Sequence, residues 1–327
     1  MHSRAERFPR RVTPYMQILR VDHWFKNAFM LLGVILALFW RPELVEPGAF
    51  VMLGSAFLAV CIVASSNYVL NEFLDADTDR LHPVKCSRPA ARGAVLGWAA
   101  LLLWGGLGFA GIQWAFAIND SFGSAAVALW FMGCVYNLPP VRSKEIAYVD
   151  VLTESINNPI RLFLGWFALV PDRLPPLSLA LSYWMVGAFF MAAKRLAELR
   201  SLPDREQLAL YRRSFKSYDE NRLLACMAFY LSAGAILGGA FIVRYKPELA
   251  FGIPLYAGFF AYYLLLALRR DSPVQAPERL YRERAFFAYA LLTTVVFVGL
   301  MFLELPVLHE IFGVQPVSLE PLWSLGG

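Results

Sequence analysis

Charged residues are scarce in this chain. Asp, Glu, Lys and Arg make up only 17% of its 327 residues, whereas soluble globular domains carry about 25%. Hydrophobic residues account for 58%, and the mean hydropathy is +0.50. This composition excludes an ordinary soluble domain, and apolar stretches of membrane-spanning length recur along the chain. The sequence therefore predicts a polytopic membrane protein.

Cysteine and histidine are also few, with four of each. Cys61, Cys134 and Cys226 lie inside apolar runs and Cys86 lies in a basic stretch, and no pair has metal-binding or redox spacing. The histidines are equally scattered. The net charge of +5 does not indicate nucleic-acid binding, because the basic residues lie between apolar runs and not in one patch. No nucleic-acid partner is predicted.

Nine candidate membrane spans can be counted, and basic residues gather in alternate connectors. The spans cover about residues 25–40, 49–72, 94–117, 122–138, 148–171, 176–197, 222–243, 249–268 and 285–303. By the positive-inside rule, the N-terminus and the even-numbered loops are cytoplasmic and the C-terminus lies outside an inner (plasma) membrane. Because backbone polar groups in lipid must be satisfied within their own helix, we predict one all-α bundle, a single domain over residues 1–327.

The most unusual stretch is dense in charge and follows a long apolar run. It reads NEFLDADTDRLHPVKCSRPAARG. Four of its residues fall within roughly 100° of one helix face: Asn71, Glu72, Asp75 and Asp79. Their oxygens favour Mg²⁺ or Mn²⁺, held through a substrate phosphate. We predict Glu72, Asp75 and Asp79 as metal ligands, with Asp75 and Asp79 also catalytic. The alternative is a solvated loop with scattered charges.

Basic residues in three places can meet the phosphates of such a substrate. Lys85 and Arg88 follow the acidic residues within one loop. Arg142 and Lys144 lie in the fourth loop, where they either set the membrane topology or, if the loop folds over the site, contact phosphate. Lys26, at the edge of the first span, either extends to the lipid headgroups or points inward to a phosphate.

A second polar stretch lies in the fifth span, at DVLTESINNPIRLFLGW. On a helix, four residues fall within about 60° of one another: Asp150, Glu154, Asn157 and Arg161. A polar line in an apolar helix is expected to face the bundle interior or a water-filled cavity. There Arg161 would offset one carboxylate, and Pro159 would kink the helix. The alternative role is polar contact between helices.

The sixth span ends in MAAKRLAELR, which places Lys194 and Glu198 one turn apart, where they can pair. Taken alone, these residues predict a metal-dependent transferase that acts on a diphosphate substrate at the cytoplasmic face. The metal would neutralise charge on the leaving diphosphate.

These motifs resemble the UbiA superfamily of membrane prenyltransferases. NxxxDxxxD at the end of the second span is similar to the first Asp-rich motif of that superfamily. The longer string N-E-x-x-D-x-x-x-D-R-x-H-P-x-K-x-x-R-P resembles its decaprenyl-phosphate phosphoribosyltransferase branch, which usually has Asn-Asp where this chain has Asn71-Glu72. That branch also has a similar Trp-x-Lys-Asn around Lys26. Lys194 and Glu198 resemble the branch and stand where quinone-pathway members carry a second Asp-rich motif.

The resemblance implies transfer of 5-phosphoribosyl from phosphoribosyl diphosphate to a polyprenyl phosphate, with Mg²⁺ as cofactor. Asp150 and Glu154, the other two predicted catalytic residues, would hold ribose hydroxyls or support a second metal. The lysine in place of an aspartate suggests that a protein cation meets one phosphate. The predicted substrate-binding residues are Asn71, Lys26, Lys85, Arg88, Arg142, Lys144, Asn157, Arg161, Lys194 and Glu198.

Two other functions stay open. One is transfer of a prenyl group from a prenyl diphosphate to an aromatic or other acceptor, against which the near absence of a second D-x-x-x-D speaks. The other is transport of a lipid-linked phosphate, which nine spans with polar lines would also suit. Broken helices and inverted repeats would favour transport, and the sequence shows neither clearly.

Overall fold

The apolar runs form long helices joined by short connectors. The structure is a computed structural model that describes residues 7–81, 85–201, 212–275 and 277–312. His82 and Pro83 of the charged loop, and the C-terminal residues 313–327, lie outside the described residues.

The helices of the N-terminal half are α1 (Arg7–Ile18), α2 (Leu31–Trp40), α3 (Pro47–Leu74), α4 (Ala76–Asp79), α5 (Gly97–Ile118) and α6 (Asp120–Asn137). Those of the C-terminal half are α7 (Val149–Ser155), α8 (Asn157–Phe167), α9 (Leu177–Ser201), α10 (Glu220–Tyr245), α11 (Ile253–Ala267), α12 (Arg284–Phe302) and α13 (Pro306–Ile311). Shorter 3₁₀ helices cover Val21–Met30, Pro42–Leu44, Lys85–Ser87, Ser143–Glu145, Arg213–Lys216, Pro247–Gly252, Pro273–Gln275 and Pro277–Arg282.

Seven helical segments in the described ranges are long and apolar enough to cross a membrane. They are Thr13–Trp40, Pro47–Leu74, Gly97–Ile118, Leu177–Ser201, Glu220–Tyr245, Pro247–Ala267 and Arg284–Phe302. The predicted all-α membrane bundle is thereby confirmed. The other two predicted spans, 122–138 and 148–171, are helical as α6 and as α7 with α8. They do not join the seven, because α6 has polar residues at both ends and the fifth span is broken.

The break in the fifth span lies between α7 and α8, at Ile156. Pro159 stands in the first turn of α8. Because proline has no N–H, it cannot donate to the carbonyl of Ser155 four residues earlier, and α7 ends at that residue. The interruption that the sequence predicted near Pro159 is therefore present. It separates the two carboxylates of α7 from Arg161 on α8.

The helix packing collects the predicted site residues at one end of the bundle. α9 packs along α10, α3 along α5 and α6, and α8 along α2 and α6. The C-termini of α3, α6 and α9 meet the N-terminus of α7, since Asn71 bonds Asn137 and Asp150 bonds Arg195 across these helices. We call this the polar end of the bundle.

Two glycines let α2 and α8 cross with their backbones in contact. A Cβ atom on Gly165 would overlap the carbonyl oxygen of Met30, and one on Gly33 would overlap the carbonyl oxygen of Leu162. Small residues allow helices in a membrane to approach this closely. The crossing holds α8 against the 3₁₀ helix Val21–Met30, which carries one of the predicted site residues.

Replacing Gly165 with alanine is expected to lower the stability of the protein by about 1–3 kcal/mol, because the added methyl group would push the two backbones apart. Unfolding of the detergent-purified protein measures this loss. Gly106→Ala on α5 is the control, since no heavy atom lies within 4 Å of a Cβ placed there. Unchanged stability in Gly165→Ala would contradict the backbone contact.

Candidate active site

Asp75 lies where α3 ends, and three side chains donate to its carboxylate. Oδ1 accepts from Lys144 Nζ at 2.5 Å and from Arg142 Nη2 at 3.1 Å, and Oδ2 accepts from Asn71 Nδ2 at 3.2 Å. Lys144 also donates to Asn137 Oδ1 at 2.8 Å. We call these five residues the Asp75 cluster. The fourth loop therefore folds over the acidic stretch, as one of the two sequence interpretations required.

Asp79 and Glu72 are both buried, and each has its own partners. Arg88 Nη1 donates to Asp79 Oδ2 at 2.5 Å. Glu72 Oε1 accepts from the backbone N–H of Ala90 at 3.4 Å, and its Oε2 lies 3.9 Å from Arg20 Nε. Within the described residues, no three Asp, Glu, His or Cys side chains form a group that could hold a metal ion. The expected cluster of three carboxylates on one face is thus not observed.

Glu72 lies about 100° around α3 from Asn71, and α3 ends at Leu74. The sequence predicts all four residues on one continuous helix, but Asp75 leaves the helix with φ −95° and ψ 1°. Asn71 and Asp75, four residues apart, do share a face and are hydrogen-bonded. Glu72 instead faces the loop that contains Ala90, and Asp79 belongs to α4. The role of Glu72 as a metal ligand stays a prediction.

Arg195, on α9, binds three carboxylates at once. Its Nε lies 3.0 Å from Asp150 Oδ2, its Nη2 lies 2.8 Å from Glu154 Oε2, and its Nη1 lies 3.1 Å from Glu198 Oε2. The arginine side chain is 1% exposed. A planar guanidinium presents five N–H donors in fixed directions, and all three of its nitrogens donate here. We call these four residues the Arg195 cluster.

The sequence alone does not indicate Arg195. It favours Arg161 as the partner of a carboxylate of α7, and Lys194 as the partner of Glu198. In the structure, Arg195 forms the ion pairs with Glu154 and Glu198 instead. Lys194 is half-buried beside Arg195, and its charge acts on the same two carboxylates. The i,i+3 spacing of Arg195 and Glu198 is the signal that would have indicated the pair.

Asp150 is fully buried and accepts from four donors. Tyr218 Oη donates to Oδ1 at 2.5 Å, while Ser214 Oγ at 3.3 Å, Arg195 Nε at 3.0 Å and Arg212 Nη1 at 3.4 Å all reach Oδ2. A carboxylate bonded in this way holds its neighbours in place. Its catalytic role stays a prediction, and the structure indicates positioning instead.

Tyr136 links the last turn of α6 to the Arg195 cluster. Its hydroxyl donates to Glu154 Oε2 at 2.9 Å and accepts from Arg212 Nη2 at 3.4 Å. Glu154 therefore has two partners, the guanidinium of Arg195 and the hydroxyl of Tyr136. Its side chain is 31% exposed, so a substrate can reach it more easily than Asp150.

Arg161 and Asn157 lie beyond this cluster, on α8. Asn157 Nδ2 donates to the carbonyl of Glu154 at 3.1 Å. Arg161 Nη1 donates to the carbonyl of Asn157 at 3.3 Å, and its Nε donates to Asn27 Oδ1 at 3.0 Å. Lys26 is half-buried next to Asn27 on the 3₁₀ helix.

Lys85 is influenced by charges from several elements. Its ammonium interacts electrostatically with Glu198 of the Arg195 cluster and with Arg212, and also with Arg88 and Asp79. Burial lowers the pKa of Lys85 to about 7, although Glu198 opposes the change. This amine therefore changes charge near neutral pH.

Burial also lowers the pKa of Lys144, to about 8, against the attraction of Asp75. Both lysines lose part of their charge above neutral pH. A bound phosphate would favour their protonated forms.

The architecture is similar to that of a solved UbiA homologue. The structure of the homologue from Archaeoglobus fulgidus bound to GPP and Mg²⁺ has a TM-score of 0.66 and 17% sequence identity, and covers 88% of this chain and 98% of that one. At this identity the likeness shows the fold alone.

Two curated relatives are more similar in sequence. Decaprenyl-phosphate phosphoribosyltransferase from Mycolicibacterium smegmatis is 30% identical over 220 residues, which are 65% of this chain and 64% of that enzyme. The enzyme of the same name from Mycobacterium tuberculosis is 30% identical over 229 residues, or 69% of this chain and 72% of the enzyme. The chain thus spans somewhat under two thirds of the first relative.

A family model described as the UbiA prenyltransferase family matches residues 28–291, which include every residue predicted for the site except Lys26. The match covers most of the chain and confirms the resemblance drawn from the motifs. The chain belongs to the UbiA prenyltransferase family.

Proposed function

We propose that this protein transfers a 5-phosphoribosyl group from phosphoribosyl diphosphate to a polyprenyl phosphate and releases diphosphate. The observation that carries the proposal is the presence of cations at two separate places. Arg88, Arg142 and Lys144 surround the carboxylates near the end of α3, whereas Lys194 and Arg212 stand at the Arg195 cluster. Phosphoribosyl diphosphate has an anionic group at each end of its ribose, whereas a prenyl diphosphate has one only.

The two curated relatives support the same assignment, since both are named decaprenyl-phosphate phosphoribosyltransferase. In the proposed arrangement the diphosphate lies at the Asp75 cluster and the 5-phosphate lies at Lys194 and Arg212. Lys85, which interacts with Glu198 as well as with Asp79, would contact the donor from the loop. Glu154 is the carboxylate placed to accept from ribose hydroxyls.

The residues near the end of α3 fit Mg²⁺ in part. Mg²⁺ usually binds one or two carboxylates together with substrate phosphates and water. Asp75 is 18% exposed and offers oxygen donors, and Asp79 follows it by one helical turn, its N–H bonded to the Asp75 carbonyl. Glu72 fits less well, because its carboxylate is bonded to the backbone N–H of Ala90 and lies near Arg20, away from the residues that contact Asp75. We propose Asp75 and Asp79 as the residues that hold Mg²⁺, which when bound would stabilise negative charge on the leaving diphosphate.

The protein's own part in the reaction is electrostatic. A phosphate oxygen of the lipid forms a bond to the anomeric carbon of the ribose while the bond from that carbon to diphosphate breaks, and the bonding electrons leave with diphosphate. Arg88, Arg142 and Lys144 would stabilise that charge. The attacking phosphate is already an anion, so no proton has to be removed. This agrees with an Asp150 whose oxygens are occupied by donors.

Prenyl transfer to an aromatic acceptor is the second candidate. The observation that favours it is the likeness of fold to a homologue solved with GPP and Mg²⁺. Membership of a transferase family favours either reaction over the transport of a lipid-linked phosphate.

The test offers the purified protein two substrate pairs in the presence of Mg²⁺. One pair is labelled phosphoribosyl diphosphate with a polyprenyl phosphate, and the other is a prenyl diphosphate with 4-hydroxybenzoate. We expect label to enter the lipid in the first mixture, with one diphosphate released per transfer. Product in the second mixture alone would replace the proposal by the second candidate.

Asp75→Asn and Asp79→Asn are each expected to lower turnover by about 10²- to 10³-fold, since each removes charge that would hold the metal on diphosphate. The initial rate at several Mg²⁺ concentrations measures the effect. Asp77→Asn is the matched control, because Asp77 lies in the same stretch with a 91% exposed side chain. Full activity in both Asp75→Asn and Asp79→Asn would contradict the metal assignment.

The KM for phosphoribosyl diphosphate is expected to rise with pH above about 7. Lys85, whose pKa is lowered to about 7, loses its proton there, and a neutral amine does not attract an anion. The rise approaches about tenfold per pH unit for one proton. Lys85→Arg keeps its charge at every pH used and should flatten the profile between pH 7 and about 8, below the range in which Lys144 loses most of its charge. The same pH profile in both proteins would exclude Lys85 as the titrating group.

A further inference from the structure

Arg161 carries a positive charge inside the bundle without a carboxylate partner. In the described ranges it donates hydrogen bonds to the Asn27 side chain and to the Asn157 carbonyl, both of them uncharged, and it forms no ion pair with Asp or Glu. Arg195, which is fully buried at this end of the bundle, has three such partners. An uncompensated charge in a membrane protein is costly, which makes such a residue a candidate for binding an anion.

The groups around Arg161 are polar but neutral. Its charge acts on the hydroxyls of Tyr68 and Tyr183 and on the thiol of Cys61. Cys61 in turn accepts from Asn27 Nδ2 at 3.2 Å. Polar side chains of α3, α9 and the 3₁₀ helix Val21–Met30 therefore interact with Arg161 of α8, and Arg20 also acts on Tyr68.

Arg161 also stays accessible where its neighbours do not. It is half-buried, whereas Ile160 is 8% exposed, Leu162 is 0% exposed and its partner Asn27 is 0% exposed. Asn27 is held between Cys61 and Arg161, so it fixes the direction of the guanidinium. The remaining nitrogen, Nη2, makes no hydrogen bond to the residues that the structure describes, and can therefore donate to a ligand.

The position of Arg161 along α8 separates it from the donor site. Its backbone lies on α8, beyond the break that separates α8 from Glu154 on α7, while its Nη1 reaches back to the carbonyl of Asn157 at 3.3 Å. The cations proposed for the donor phosphates lie at the polar end instead, around Asp75 and Asp79 and at the Arg195 cluster. A ligand at Arg161 is therefore closer to the apolar part of the bundle, where an isoprenoid chain is soluble.

We propose that Arg161 binds the phosphate of the polyprenyl phosphate acceptor, and that Asn27 orients the guanidinium for it. This inference rests on the proposed function and adds a separate place for each substrate. The donor is held at the Asp75 and Arg195 clusters. The acceptor enters from the apolar side, with its phosphate at Arg161 and the chain directed away from the polar end.

The test measures binding without turnover. Farnesyl phosphate and farnesol, which differ only in the phosphate, are each titrated into the detergent-purified protein in the absence of donor. The wild-type protein is expected to bind farnesyl phosphate about 10- to 100-fold more tightly than farnesol, the effect of one hydrogen-bonded charge. Arg161→Met should remove most of this preference and leave the affinity for farnesol unchanged.

Two further variants make the test specific. Arg161→Lys keeps the charge and loses the planar donors, and an intermediate preference is expected; it also replaces Arg161→Met if that protein does not fold. Lys85→Met is the matched control for the donor site. It should weaken phosphoribosyl diphosphate binding and keep the preference for farnesyl phosphate, the reverse of Arg161→Met.

An unchanged preference in a folded Arg161→Met protein would overturn the inference. So would an Arg161→Met protein that loses affinity for 4-hydroxybenzoate but not for farnesyl phosphate, since the anion recognised would then be a carboxylate. A wild-type protein that binds farnesyl phosphate through Arg161 but transfers no phosphoribosyl group would keep the inference and reject the proposed function.

Discussion

The polar end of the bundle depends on one constraint, the high free-energy cost of burying charge. Arg195 reduces that cost for three carboxylates. One guanidinium neutralises carboxylates from two helices, α7 and α9, and each of its bonds has a defined direction. Removing such a cation would leave three carboxylates with too little compensation. Because Asp150 is bonded to Tyr218 and Ser214 as well, the same ion pairs also hold the connector that precedes α10.

The helices and the polar end could be predicted from the sequence because both follow from local properties. Lipid forces apolar stretches into helices, and the i,i+4 spacing brought Asn71 and Asp75 together as expected. Glu72 has partners in segments distant along the chain, Ala90 and Arg20, so its contacts could not be predicted from the helix alone. The choice of Arg195 over Arg161 as the partner of α7 depends on which helices face each other, and a helix-by-helix analysis does not contain that information.

Two kinds of basic residue emerge from this arrangement. Arg195 is saturated by carboxylates and serves the structure. Arg161 has no carboxylate partner in the described ranges, and burial makes the charge of Lys85 and Lys144 responsive to what binds beside them. The distinction explains why a site with many carboxylates can still attract phosphates. The carboxylates that are already paired contribute little repulsion, and the remaining cations determine which anions are accepted.

The contact between α2 and α8 has a consequence for the route that a lipid can take. With Gly33 and Gly165 at the crossing, the two backbones touch and leave no gap between the helices. An isoprenoid chain is wider than that space, so this seam is closed to the bilayer. A long acceptor therefore has to enter and leave between a different pair of helices. The glycine crossing is then a rigid boundary of the site, and any lateral opening to the bilayer lies elsewhere.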